Sequence, residues 1–234
     1  MRFRNFHDAW EKSTINQKAK IYDGTHQTPI YTENGVKFVS VENINDLYSS
    51  NKFISIDDYR RNFKYVPNTN DILMTRIGDI GTPALVTENE ALAYYVSLAL
   101  LKVKDLESRF LYHYIKTPFF QKELWCRTLH VAFPKKINKN EIGHCKIFYP
   151  SSKFEQKKIA SFFNCIEERI KLQNKIIKHR KSLIFSLVIE ILFSLLSLIE
   201  SVLSLSAFSF LNNLLKLLWT IFKEVKRLWS QKRT

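Results

Sequence analysis

Residues 154–193 read FEQKKIASFFNCIEERIKLQNKIIKHRKSLIFSLVIEILF, a run of forty residues without a glycine or a proline. Large apolar residues recur in it at alternating spacings of four and three, and two polar residues, Gln173 and Arg180, fall in the same series. This repeat predicts a long helix with a coiled-coil seam that faces a second long helix. An amphipathic helix that covers its own domain is the alternative. The predicted seam comprises Ile159, Phe163, Ile166, Ile170, Gln173, Ile177 and Arg180.

The long helix divides the chain into three predicted parts. Residues 1–152 combine short strand-like and helical segments, which predicts a mixed α+β globular domain of the broad α/β class. Residues 153–193 form the predicted spacer or dimerisation helix. Residues 194–234 are predicted to form an atypical apolar helical tail. The predicted architecture is therefore a globular domain followed by a long coiled-coil-forming helix at the C-terminal side.

Several patterns support the mixed character of the first part. An Asn-Gly turn signal separates Tyr31 from a predicted strand that contains Phe38, Val39 and Val41. Residues 71–94 contain two short apolar segments around a glycine-containing bend, and residues 94–104 read as a further strand. Residues 106–128 have helical spacing, and a proline inside this range predicts a division into two helices at position 118.

The apolar composition of residues 182–222 leaves two interpretations open. This stretch contains only three charged residues, Glu190, Glu200 and Lys216, and basic clusters flank it on both sides. About twenty apolar residues suffice to cross a membrane, but the two glutamates interrupt the run. A helical hairpin that packs on the long helix is the alternative that we favour, so membrane association is not the leading expectation.

The net charge is the first indication of function. The 234 residues contain 36 Lys and Arg against 22 Asp and Glu, which gives a formal net charge of +14. Such a field attracts polyanions, among which nucleic acid is the usual partner and an anionic membrane is the competitor. The start of the chain has no apolar core of a signal peptide, and the three cysteines are odd in number and widely spaced. Both observations predict a cytoplasmic protein with reduced thiols.

Catalytic and metal-binding patterns are weak throughout the sequence. The segment IGDIGTP (77–83) lacks the Gly-Lys-Ser/Thr ending of a phosphate loop, and its glycine spacing does not suit a dinucleotide site. The six histidines and three cysteines show no metal-ligand spacing. We therefore expect a binding module with no catalytic residues, no metal and no cofactor of its own.

Three segments carry residue types that suit DNA. The loop DGTHQTP (23–29) offers small polar side chains, and residues 57–67 and 126–141 interleave cations with aromatic residues. Arginine and lysine bind phosphates, and arginine also grips guanine edges, whereas Gln and Asn suit adenine edges. The candidate DNA-binding residues are Thr25, His26, Gln27, Thr28, Arg60, Arg61, Lys64, Arg76, Arg127, His130, Lys135, Lys136 and Lys139.

The order of four segments resembles the specificity subunits of type I restriction–modification enzymes. The segments are FHDAWEKSTINQKAKIYDGTHQTPIYTENGVKFVSVENI (6–44), NDILMTRIGDIGTPALV (70–86), INKNEIGHCKIFYPSSKFEQKKIASFF (137–163) and ERIKLQNKIIKHRKSL (168–183). The resemblance implies one target-recognition domain followed by one spacer helix. It also implies a non-catalytic reader of double-stranded DNA that directs a methylation subunit and a motor–nuclease subunit to one half of a bipartite target.

This chain departs from the family pattern in two respects. It contains one recognition domain where the family usually has two, so we expect self-association, or pairing with another half-subunit, through the long helix. Its apolar tail replaces the usual helix end, which leaves a truncated or frame-changed inactive fragment as an alternative. An enzyme with a cryptic site, a membrane-associated interaction protein and a coiled-coil adaptor without DNA binding are the other function classes.

Overall fold

The computed structural model describes residue 3, residues 6–202 and residues 216, 219 and 220. The chain falls into two compact units, Met1–Glu167 and Glu168–Thr234. Most of the predicted tail, residues 194–234, lies outside the described residues.

The described strands are β1 (Trp10–Thr14), β2 (Ala19–Asp23), β3 (Tyr31–Thr32), β4 (Val36–Val39), β5 (Phe53–Ile54), β6 (Ile72–Ile77), β7 (Asp79–Leu85), β8 (Leu92–Tyr94), β9 (Leu98–Val103) and β10 (Lys146–Pro150). The helices are α1 (Ile15–Lys18), α2 (Ile56–Asn62), α3 (Ser108–Ile115), α4 (Pro118–Arg127), α5 (Lys139–His144) and α6 (Lys153–Val202), with 3-10 turns at Val41–Asn43 and Leu47–Ser49. The predicted mixed α/β domain followed by a long helix is confirmed.

A central antiparallel sheet with strand order β2-β9-β6-β7 forms the centre of the first unit. On β6, Ile72 and Met74 belong to one apolar cluster and Leu73 to another. Successive side chains of a strand point to opposite faces, so this alternation means that both faces of the sheet are buried. One face packs on α3, α4, α5 and the start of α6. The other packs on β4 and β8 of a second sheet and on Ile44 and Leu47 at the 3-10 turns.

A second four-stranded sheet has the order β3-β5-β4-β8. The Asn-Gly signal correctly marks a bend between β3 and β4, but these strands do not pair with each other. Instead β5 lies between them, and Tyr31 and Val36 both face Ile54 from opposite sides. Val41, which was predicted to extend the strand, lies in a 3-10 turn because the strand ends at Val39.

The predicted division of residues 106–128 into two helices is confirmed. α3 ends at Ile115, and α4 begins with Pro118 at its first turn, where a missing backbone N–H costs nothing. The Thr117 side chain caps α4 by accepting a hydrogen bond from the Phe120 backbone N–H at 3.3 Å. Phe110 and Phe120 then bury their rings in the core on the helical face of the central sheet.

Gln156 fastens the start of α6 to the globular unit. Its side-chain amide donates to the Pro150 carbonyl at 2.7 Å, and its side-chain oxygen accepts from the Glu107 backbone N–H at 2.8 Å. Only 1% of the residue is exposed, so both hydrogen bonds are shielded from water. The end of β10, the residue before α3 and the first turn of α6 are thereby held together.

A second polar cluster lies further along α6. The His113 Nε2 is 2.7 Å from the Asn164 Oδ1, and its Nδ1 is 3.6 Å from a Glu167 carboxylate oxygen. Lys116 contacts the same carboxylate at 2.7 Å. Burial lowers the pKa of His113, although its hydrogen bond to Asn164 and the charge of Glu167 act in the opposite direction. The imidazole is therefore neutral in the folded state near neutral pH.

The lowered pKa of His113 makes the stability of the first unit depend on pH. Below the ordinary histidine pKa of about 6.5, the unfolded chain binds a proton that the buried imidazole resists. We therefore expect the free energy of unfolding to decrease as the pH falls through about 6.5, with the full contribution present above it. Urea titrations between about pH 5 and 8 measure this effect. His113→Gln should reduce the pH dependence.

The structure places the predicted seam residues in different environments. Ile159 packs against the core of its own unit, so the alternative of a helix that covers its own domain holds at this position. The Phe163 ring lies 5.5 Å from the His113 ring, while Ile166, Ile170 and Ile177 are exposed, as are Gln173 and Arg180. An exposed apolar series beyond Phe163 fits the predicted pairing with another helix, which stays a prediction.

Candidate nucleic-acid interface

The loop DGTHQTP begins at the end of β2 and is held through its main chain. The Thr25 backbone N–H donates to the Tyr94 carbonyl at 3.1 Å, and the Thr25 carbonyl accepts from the Val96 N–H at 2.9 Å. The Thr25 hydroxyl also accepts from the Gln27 N–H at 3.3 Å. His26, Gln27 and Thr28 are exposed. The loop is therefore anchored at Thr25 and presents three exposed polar side chains after it, and we call residues 25–28 the recognition tip.

Asp23 stands at the base of the recognition tip between two cations. Its carboxylate accepts a hydrogen bond from the Arg76 guanidinium and lies 3.6 Å from the Lys139 ammonium. The Tyr94 hydroxyl donates to the Asp23 carbonyl oxygen at 3.2 Å. Burial and, next, the charge of Asp23 raise the pKa of Tyr94 well above its usual value. The tyrosine hydroxyl thus remains a donor. The end of β2 is held by the two cations at the Asp23 carboxylate and by the hydrogen bond from Tyr94.

Arg76, one of the predicted DNA-binding residues, is buried and hydrogen-bonded within the protein, and its contact with DNA stays a prediction. The residue is only 7% exposed, and its Nε donates to the Ile137 carbonyl at 3.1 Å while its other nitrogen pairs with Asp23. In this structure the guanidinium is held by partners within the protein. Through its pairing with Asp23, Arg76 stabilises the base of the recognition tip.

Exposed cations lie at the end of α2 and just after it. Arg60, Arg61 and Lys64 are all exposed, and Arg61 pairs with Asp58 at 3.1 Å. The Lys64 ammonium lies 5.6 Å from the Tyr65 ring centroid, and the Tyr65 ring stacks on Tyr22 of β2 with centroids 3.8 Å apart. This stack joins the basic cluster of residues 60–64 to the strand that leads into the recognition tip.

A shallow groove runs along β2 next to these groups. Its volume is about 480 Å³, and its lining includes Lys20, Tyr22, Lys139, Asn140 and His144. All five are polar or aromatic, and the two lysines make the groove basic. The sequence patterns did not indicate Lys20, Tyr22 and His144, because an isolated lysine or tyrosine on a strand shows no cluster in the sequence. Because Ala19 and Ile21 line the groove as well, alternation along β2 would not have marked these residues either.

The predicted cluster of residues 127–139 is divided by the fold. Arg127 pairs with Glu141 at 3.2 Å and lines a separate depression. The His130 ring packs on Trp125 with centroids 4.2 Å apart, and the Lys135 ammonium lies 4.7 Å from the Trp125 ring centroid. Lys135 and Lys136 are exposed. Of the predicted residues here, Lys139 joins the groove at β2, and the others belong to a second surface.

Metal-binding geometry is absent from the part of the chain that the structure describes. Within those residues, no group of three or more histidine, cysteine, aspartate or glutamate side chains is placed to hold a metal ion. The three cysteines are free, with Cys126 and Cys165 exposed and Cys145 buried. Burial raises the pKa of the Cys145 thiol to about 12, so this cysteine is not a thiolate at neutral pH.

The family model for the type I restriction modification DNA specificity domain matches residues 7–179. This range includes β1, all the elements of the globular unit and the first half of α6. The chain belongs to this family. No protein among the curated sequences matches the chain.

Solved structures of type I systems share the fold of this specificity domain. The S subunit of a type I restriction-modification system from M. genitalium is 18% identical with a TM-score of 0.54, over 73% of this chain and 43% of that chain. The HsdS subunit from Thermoanaerobacter tengcongensis is 20% identical with a TM-score of 0.54, over 70% of this chain and 39% of that one. A third structure comes from work on the complex assembly and conformational transition of the type I R-M system. Its matching chain is 16% identical with a TM-score of 0.55, over 71% of this chain and 40% of that chain. This specificity-domain chain spans about two fifths of the length of those relatives.

Proposed function

We propose that this chain is a half-length specificity subunit that binds double-stranded DNA in a type I restriction–modification system. Family membership over residues 7–179 supports this proposal. The observation that carries it is the arrangement around β2, where the recognition tip follows the strand, a basic groove lies along it, and Tyr22 stacks on Tyr65 next to the exposed Lys64. The polar side chains of such a surface suit base edges, and its cations suit the phosphates on either side.

We infer different tasks for the two sets of side chains. His26, Gln27 and Thr28 are exposed directly after Thr25, whose main chain is hydrogen-bonded to Tyr94 and Val96, and base readout requires such a supported position. Arg60 and Lys64 are exposed cations, which suits them to phosphate contact. Arg61 is partly neutralised by Asp58, so its contribution to phosphate binding is smaller.

Salt dependence tests the phosphate contacts. For duplex DNA, the slope of log affinity against log salt concentration changes by about 0.9 for each phosphate contact. Replacing both Arg60 and Lys64 by glutamine should therefore reduce the magnitude of this slope by about 2. Fluorescence anisotropy with a labelled duplex, between roughly 50 and 200 mM salt, measures the slope.

A charge-matched variant provides the control for this experiment. Lys12 and Lys146 are exposed cations of the two-stranded sheet β1-β10, and their double replacement by glutamine removes the same charge. We expect this control to retain most of the wild-type slope. Equal slopes for both double variants would contradict a phosphate-binding role for Arg60 and Lys64. If the chain is an inactive truncated fragment, it should bind no duplex even at low salt.

We also propose the partners that this function requires. A subunit without catalytic residues acts by bringing a methylation subunit, and with it a motor–nuclease subunit, to DNA in the cytoplasm. The exposed apolar series Ile166, Ile170 and Ile177 supports pairing of α6 with the same helix of a second copy or of another half-subunit. Co-purification with a methylation subunit, followed by light scattering for the number of copies, tests both parts of the proposal. A monomer that retains its partner subunit would contradict the helix pairing alone.

Membrane association is the second candidate function, and one observation favours it. α6 contains an apolar segment long enough to cross a membrane by length and composition, and that segment is not buried. Cell fractionation separates the two candidates. Recovery of the full chain without detergent supports the DNA-binding proposal, whereas strict dependence on detergent supports membrane attachment.

A further inference from the structure

The segment Leu129–Lys136 presents an apolar tip to solvent. Val131 is 99% exposed and Phe133 is fully exposed, with a relative exposure of 103%. Trp125 and Leu129 at the base of the segment are also exposed. Single exposed apolar residues are common, but a fully exposed phenylalanine beside other apolar side chains marks a contact surface. We call residues 131–134 the apolar tip.

The main chain holds the base of this tip in place. The Leu129 N–H donates to the Lys136 carbonyl at 2.8 Å, which joins the two arms of the segment. The Gly78 N–H donates to the Lys135 carbonyl at 2.8 Å, and the Ile137 N–H donates to the Arg76 carbonyl at 3.0 Å. The segment is thus attached to the turn between β6 and β7, and Phe133 is carried outward on an anchored support.

The charges around the tip indicate what it contacts. Residues 126–140 contain five Lys, Arg or His side chains and no acidic residue. Lys135 and Lys136 follow the tip directly and are exposed. An apolar residue with cations beside it is complementary to a partner with apolar planes inside and negative charge outside. Duplex DNA has this construction, because base pairs are stacked between two rows of phosphates.

We propose that Phe133 enters duplex DNA as an apolar wedge between adjacent base pairs while Lys135 and Lys136 bind the phosphates beside the opened step. Phenylalanine is among the residues that proteins insert in this way, and unstacking the step bends the duplex towards more protein surface. This inference rests on the proposed DNA-binding function and adds a second contact to it. The wedge distorts the duplex, whereas the recognition tip touches the base edges.

The test uses the full chain and a duplex selected from a randomised pool by retention on it. 2-Aminopurine is placed at successive positions, since its fluorescence rises where a base loses its stacking neighbour. We expect a rise at one step with the wild-type chain. Phe133→Ser should abolish this rise and weaken binding on the order of 10-fold, with the salt slope unchanged. Phe133→Leu, which remains an apolar wedge, should retain most of both signals.

The lysines provide the complementary measurement. Lys135→Gln combined with Lys136→Gln should reduce the salt slope by about 2 and keep the fluorescence rise. A Phe133→Ser chain that binds the duplex like the wild type, or a wild type that causes no rise, overturns the wedge and leaves DNA binding intact. A wild-type chain that binds no duplex refutes the proposed function itself. Phe133-dependent binding to phosphatidylserine vesicles but not to DNA would make the tip a membrane contact and overturn the wedge.

Discussion

Arg76→Ala is expected to lower the free energy of unfolding by about 2 kcal/mol, because it leaves the partly buried Asp23 carboxylate without its main partner. Arg76 is 7% exposed, and the side chain of Asp23 is 22% exposed. The substitution also removes the donor to the Ile137 carbonyl. Lys139, at 3.6 Å from the Asp23 carboxylate, replaces only part of the lost interaction. Urea unfolding at neutral pH measures the change.

Two further variants separate this pair from direct DNA contact. Asp23→Asn leaves the guanidinium partly unpaired and should also destabilise, and the double variant should cost less than the sum of the two single ones. Arg60→Ala, at an exposed site, should weaken DNA binding with little effect on stability. If Arg76→Ala were as stable as the wild type but failed to bind DNA, the supporting role assigned to Arg76 would be wrong.

Gly24→Ala is expected to destabilise the domain by about 3 kcal/mol through steric overlap with main-chain atoms. A Cβ at this position would overlap the Tyr94 carbonyl oxygen and would lie 2.5 Å from the Tyr95 carbonyl carbon. These atoms belong to the chain that holds the recognition tip, so they cannot move aside without breaking its hydrogen bonds. We therefore expect the variant to lose DNA affinity as well as stability.

A second glycine supplies the matched control for this prediction. A Cβ added to Gly78 would meet no other atom within 4 Å, but the φ of +78° at this residue lies in the left-handed region. Gly78→Ala should therefore cost only about 1 kcal/mol, through backbone strain alone. Calorimetry on both variants measures which of them loses more stability. A larger loss for Gly78→Ala than for Gly24→Ala would show that close packing at Gly24 is not the decisive constraint.

Sequence patterns predict those elements of the fold that depend on neighbouring residues, such as helix ends and alternating strands. Pro118 ends one helix and begins another because a proline lacks the backbone N–H that a helix interior needs. The alternating apolar residues of residues 71–86 form β6 and β7 as expected. The long run without glycine or proline forms α6, which begins at Lys153 as predicted and extends to Val202, beyond the predicted end at residue 193.

Features that depend on distant residues were not predictable in the same way. Nothing near Asn34 and Gly35 reveals that β5, from residues 53–54, will insert between the strands on either side of the bend. An arginine beside a glycine-containing bend suggests a DNA contact, and only the fold shows that Arg76 is buried against Asp23. The stack of Tyr65 on Tyr22 joins residues that are far apart in the sequence.

The way in which the recognition tip is held has a consequence for how this domain can change its target. Its anchoring hydrogen bonds join the main chain of Thr25 to that of Tyr94 and Val96, while the side chains of residues 26–28 are exposed. Folding therefore places little demand on the identity of those three side chains. Under the proposed function, substitutions at these three positions would alter the DNA sequence that is bound while the fold is kept, so specificity could change without a loss of stability.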